Sequence, residues 1–98
     1  MQDTIKSLSD SQLLSTLQKL NDREHEATLQ ILLYLIEVEN RRLYAEEGYS
    51  SMFTFCTEKL KYTRGAAHRR IQCARVIRDF RVAYRLLRTR KVNLVTLS

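Results

Sequence analysis

Arg64, His68, Gln72, Arg75 and Arg78 follow one another at steps of four, four, three and three residues, so a helix through them gathers all five on one face, with Arg69 on its flank. The guanidinium fork donates in pairs to phosphate oxygens or to the guanine edge, and a glutamine amide matches the adenine edge in the same two-point manner. Such a face is suited to duplex DNA. Arg85 and Arg88 extend the basic character beyond it and are candidates for phosphate contacts alone. The competing explanations are a solvated basic face that offsets acidity elsewhere, an acidic protein partner, or an anionic membrane surface.

Other chemistry is sparse. His25 and His68 are the two imidazoles, and Cys56 and Cys73 are the two thiols, without the C-x-x-C or Cys/His spacing of a metal site. No glycine-rich phosphate loop and no nucleophile elbow is present. The sequence therefore predicts no catalytic residue, no metal and no cofactor. His25 reads as a surface residue and the cysteines as small core hydrophobes. The five tyrosines are dispersed along the chain, which suits core edges better than a base-stacking platform.

Charge is split sharply along the chain. Residues 1–63 hold seven basic against ten acidic side chains, a balance of −3, whereas residues 64–98 hold ten basic against Asp79 alone, a balance of +9. Nine of those ten are arginine, which favours polyanion recognition over solubility alone. At 98 residues, 44% hydrophobic and 29% charged, the chain has the size and composition of one globular domain spanning residues 1–98. The longest apolar run, Ile31–Ile36, is far below the roughly 20 residues that cross a bilayer, and the N-terminus lacks a signal-peptide pattern, so a cytoplasmic protein without membrane contact is expected.

The elements that must position the basic face all read as helices. There is no proline, and Gly48 and Gly65 are the only glycines. Ser9 with Gln12 forms a capping-box pattern that starts a helix over about 10–20, flanked by Leu8 and Leu13 as a staple. Asn21 with Glu24 repeats that pattern and predicts a second, long helix over about 22–46, on which Leu29, Leu32, Leu33, Ile36 and Leu43 are the core candidates. Its apolar arc is wider than one packing face, so it is expected to be the most buried element or to join two copies in a homodimer. Gly48 is placed as a left-handed cap, Ser50 or Ser51 as the start of a short helix over about 52–60, and Thr63 as the N-cap of a helix over 64–79.

These last two helices and their tight connection form a helix-turn-helix-like pair at about 51–79. It departs from the usual motif in two places: Lys61 stands where the turn ordinarily carries glycine, and Arg70 stands on the apolar side, where a carboxylate partner (Glu37, Glu39 or Glu58) is expected. A fifth helix through Val82–Leu87 and a sixth capped by Asn93 complete an all-α bundle of five to six helices around a long central one.

The stretch LYAEEGYSSMFTFCTEKLKYTRGAAHRRIQCARVIRDF, preceded by a long helix ending EVENRR, resembles the helical N-terminal region found ahead of the nuclease domain in bacterial HNH endonuclease-like proteins. Gly48-Tyr49-Ser50-Ser51 and Gly65-Ala66-Ala67 with Arg69-Arg70-Ile71 carry most of the likeness, which extends over about 8–98. It implies an accessory, non-catalytic module that guides a nuclease to DNA, the nuclease motif itself lying further downstream. The alternative is a homodimerisation or protein-interaction module, joined through residues 22–46, that makes no nucleic-acid contact.

Overall fold

The computed structural model describes residues 2–98, all in helices and short connections, with no strand among them. The order is α1 (Gln2–Lys6), α2 (Asp10–Asn40), α3 (Leu43–Glu46), α4 (Met52–Thr54) running directly into a π-helical segment (Phe55–Lys59), α5 (Arg64–Asp79), α6 (Arg81–Arg88) and α7 (Leu94–Leu97).

Local capping chemistry sets most boundaries. The Ser9 backbone donates to Gln12 Oε1 at 2.9 Å while Gln12 N–H donates to Ser9 Oγ at 3.1 Å, a complete capping box. Ser51, Thr63 and Asn93 accept from the backbones of Thr54, Ala66 and Thr96, and so start α4, α5 and α7. Gly48, at φ +91°, closes α3: Tyr49 N–H reaches Tyr44 O and Gly48 N–H reaches Ala45 O, both at 3.0 Å, the paired bonds of a Schellman cap. The same pair of bonds ends α6, from Lys91 to Leu86 and from Arg90 to Leu87, with Arg90 forced to φ +61°.

The expected break at Asn21 does not occur. Residues 10–40 form one 31-residue helix. Asparagine inside a helix costs less than about 0.7 kcal/mol relative to alanine, and with no glycine or proline nearby nothing offsets the loss of continuity. The chain breaks instead at Arg42, which takes φ +55° and separates α3 from α2.

The core gathers Leu29, Leu32 and Leu35 of α2, Met52 and Cys56, Ala67, Ile71, Cys73, Ala74 and Ile77 of α5, and Ala83 and Leu87 of α6. The most buried element is thus α5, not the long helix. Its small residues Ala67, Cys73 and Ala74 admit α2, α4, α6 and α7 closely around it. Leu33 is not a core residue: it is 37% exposed, and Ile36 is half-buried. Both cysteines are free and buried, as small hydrophobes, and Cys73 Sγ donates to Leu94 O at 3.2 Å, tying α7 to α5.

The N-terminal half of α2 is an arm. At 1.5 Å per residue the helix is about 46 Å long, close to the 48 Å long axis of the molecule. The 16.6 Å radius of gyration exceeds the roughly 13 Å of a compact domain of this length. Every residue from Ser9 to Glu24 is exposed, and the arm stands clear of the body as far as Asp22, where Arg90 meets it.

Candidate nucleic-acid interface

Thr63 fixes the start of α5 and thereby the bearing of its outer face. Arg64 lies over the Phe53 ring, 5.3 Å from its centroid, a cation–π contact that holds the guanidinium plane while leaving its N–H edges free. His68 is exposed one turn later, and Arg69 and Gln72 are half-buried. The Arg69 guanidinium folds back over the bare backbone of Gly65. No acidic side chain pairs with Arg64, His68 or Arg69 among the described residues.

Arg75 and Arg78, placed by the sequence on the same face, are engaged inside the protein. Arg75 Nη2 donates to Glu39 Oε2 at 2.6 Å, and its Nε lies 3.2 Å from both carboxylate oxygens. Arg78 reaches the same carboxylate at 3.3 Å and Asp79 at 3.1 Å. The hydrogen bond from Arg75 holds the Glu39 carboxyl below the usual carboxylate range, helped by the charges of Arg75 and Arg78 and opposed by partial burial. Arg75 is correspondingly locked further into its charged form by the same hydrogen bond. A side chain held this way binds α5 to α2, and it reaches a base edge only by giving up the pair.

Arg70 has no carboxylate partner, contrary to expectation. Its guanidinium stacks on Tyr62, 4.6 Å from the ring centroid, and Nη1 donates to Ala66 O at 3.3 Å, while Nε is buried with no partner. The aromatic face takes the place of an acid, because Tyr62 lies in the connection that turns the chain into α5. That connection is strained: Lys61, standing where the usual turn carries glycine, adopts φ +64°. The π-helical segment before it advances the chain by one extra residue per turn, with Leu60 N–H bonded to Phe55 O.

The most open basic surface lies on α6. Arg81, Arg85 and Arg88 recur at four and three residues on the side opposite the buried Ala83 and Leu87. All three are exposed, and none makes an ion pair or a side-chain hydrogen bond among the described residues. Arg85 and Arg88 were legible as basic candidates. Arg81 completes the stripe, and its spacing was the signal that could have found it. The end of α6 is pinned to α2, where His25 Nε2 donates to Arg88 O at 3.2 Å and Arg90 pairs with Asp22 at 3.3 Å. His25 is therefore a docking residue and not a free surface group.

Among the described residues no cluster of His, Cys, Asp and Glu is arranged to hold a metal ion, and no helix is long and apolar enough to cross a membrane. Comparison with protein-family models, curated proteins and solved structures finds no match.

Proposed function

We propose that the chain is a DNA-binding accessory module that grips the sugar–phosphate backbone of duplex DNA through the α6 stripe, with Arg64, His68, Arg69 and Gln72 of α5 as additional contacts. The observation that carries this reading is the contrast between arginines. Arg41, Arg75, Arg78 and Arg90 each have a carboxylate, whereas Arg81, Arg85 and Arg88 have none on a shared exposed face. Three unpaired guanidinium groups on eight residues of helix repel one another, and a row of phosphates relieves that repulsion. With Arg75 and Arg78 tied to Glu39, backbone contact outweighs base reading, and sequence preference is weak. The likeness to helical regions ahead of HNH nuclease domains accords with a module that delivers a nuclease to DNA, without itself performing a catalytic step.

The test is an anisotropy titration of a labelled duplex at two salt concentrations. Each phosphate neutralised contributes a slope of about −0.9 in log K against log salt, so three contacts give about −2.7. Replacing Arg81, Arg85 and Arg88 together by Ala flattens the slope by that amount for every DNA sequence alike. Binding no tighter than about 10⁻⁴ M near 50 mM salt, below ordinary non-specific affinity, overturns the proposal.

A further inference from the structure

Helix α2 carries a second pattern that its own fold uses only in part. Asp10, Leu13, Leu17, Leu20, Glu24, Ala27, Ile31, Tyr34, Val38 and the C-cap Arg41 follow one another at alternating steps of three and four, a heptad spacing kept along the whole helix. The seam lies roughly a third of a turn around the helix from the Leu29–Leu32–Leu35 face that packs into the body. Leu17 is 65% exposed, Leu20 53% and Tyr34 72%, while Ile31 and Val38 are half-buried against the core. A sequence that only had to fold the monomer has no need of leucines on a projecting arm.

The three charged positions of the seam say what covers it. We propose that two copies of the chain pair through α2 in antiparallel fashion, about a two-fold axis between Glu24 and Ala27. In this register Leu13 meets the partner's Val38, Leu17 meets the partner's Tyr34, and Leu20 meets the partner's Ile31. Glu24 faces the partner's Ala27, whose small side chain leaves the carboxylate room to turn out to water. At each end Asp10 faces the partner's Arg41, which also pairs with Glu37 of its own helix, so the two outermost charges are opposite in sign. All ten positions are used, and every apolar residue except Ala27 meets another.

No other simple pairing matches the seam to itself. A parallel, in-register pair sets Asp10, Glu24 and Arg41 each against its own copy, three like-charge contacts in one interface. Shifting the antiparallel register by one heptad strands either Leu13 or Val38 and sets Glu24 against the partner's Tyr34 or the partner's Leu20. The antiparallel two-fold also accounts for the arm. It lays the N-terminal half of each α2 along the C-terminal half of the other, and it keeps both bodies on one side of the helix pair. Leu14, 70% exposed and in line with Leu32 five turns away, then points toward the partner's body.

Sedimentation equilibrium on the intact chain tests the pairing. A dimer is expected, and a chain still monomeric at about 100 µM, where even a modest interface is populated, overturns the proposal. Leu17→Asp with Leu20→Asp should abolish the dimer with helicity unchanged, since both residues are exposed in the single chain. A dimer that survives those changes uses another surface and overturns it equally. Orientation is read by cross-linking. Leu17→Cys together with Tyr34→Cys forms an intermolecular disulfide in the antiparallel register, whereas Leu17→Cys alone does so only if the helices run parallel. Asp10→Arg removes the pair at both ends and weakens the dimer by about two- to thirtyfold, and adding Arg41→Asp restores it, the scale of two exposed ion pairs. Failure of the restoration overturns the register.

Discussion

Arg75 on α5 closes on Glu39 near the end of α2, with Nη2 2.6 Å from Oε2 and Nε 3.2 Å from both carboxylate oxygens. Residues 36 positions apart are thus joined by a two-point contact that also draws in Arg78. Glu39 pairs with two cations of the basic helix, offsetting one charge, and fastens that helix to the long one, so fold and charge are coupled at one carboxylate.

Glu39→Gln is expected to cost about 1 kcal/mol at neutral pH, toward the low end for charged hydrogen bonds because Arg75 is partly solvated. The Glu39 pKa is lowered in the folded protein, so its contribution is present above the unfolded value of about 4.3 and is lost as pH falls through the folded one. Urea melts of both proteins should therefore draw together as the pH falls below about 4.3 and converge only beneath the lowered folded value. The same substitution frees Arg75, while Arg78 keeps its pair with Asp79, and it should tighten duplex binding while steepening the salt slope by about one unit. Weakened binding in a folded Glu39→Gln variant would count against backbone contact by Arg75.

Lys61→Gly is expected to stabilise the chain by about 1 kcal/mol. A non-glycine residue at φ +64° carries a steric cost of that size, and the exposed Lys61 side chain makes no ion pair or hydrogen bond among the described residues to set against it. A urea midpoint that falls shows that the turn depends on the side chain in a way its geometry does not reveal.

Arg70 combines a stacked guanidinium with an Nε that has no acceptor. Arg70→Met retains the apolar stem against Tyr62 and removes the orphaned donor, so its stability should stay within about 1 kcal/mol of the parent. Arg70→Ala loses both stem and stacking and should cost more, about 1 to 2 kcal/mol. Thermal melts of the pair decide the order.

What the sequence disclosed depends on how far apart the interacting groups lie. Ser9, Thr63 and Asn93 were readable as caps because a cap is complete within four residues. Gly48 was readable because only its own backbone angle is at stake. Lys61 was readable only as a departure from the glycine of the usual turn, and the structure supplies its positive φ. Asn21 misled because a capping pattern inside a good helix has no competing breaker to act on. The roles of Arg70, Arg75 and Arg78 were not readable, since each depends on what its neighbours or α2 present after folding. Arg75 lies at an angle on the helical wheel that fits either DNA or Glu39, and only the packing of α5 on α2 selects between them. Leu33 belongs to the same class: its periodicity fits the core, but the body covers an adjoining face.

The two buried thiols give the molecule a pair of internal clocks. Cys56 sits in the π-helical segment and Cys73 beneath α7, both with no exposed surface, and burial raises the pKa of each. A thiol reagent must wait for the chain to open before it can react. Cys73 is sheltered partly by a four-residue helix held through Leu94, whereas Cys56 is released only when the wider turn leading into α5 comes apart. Their separate labelling rates therefore time two different events, the undocking of the C-terminus and the loosening of the helix-turn-helix-like pair, within a single unmodified chain.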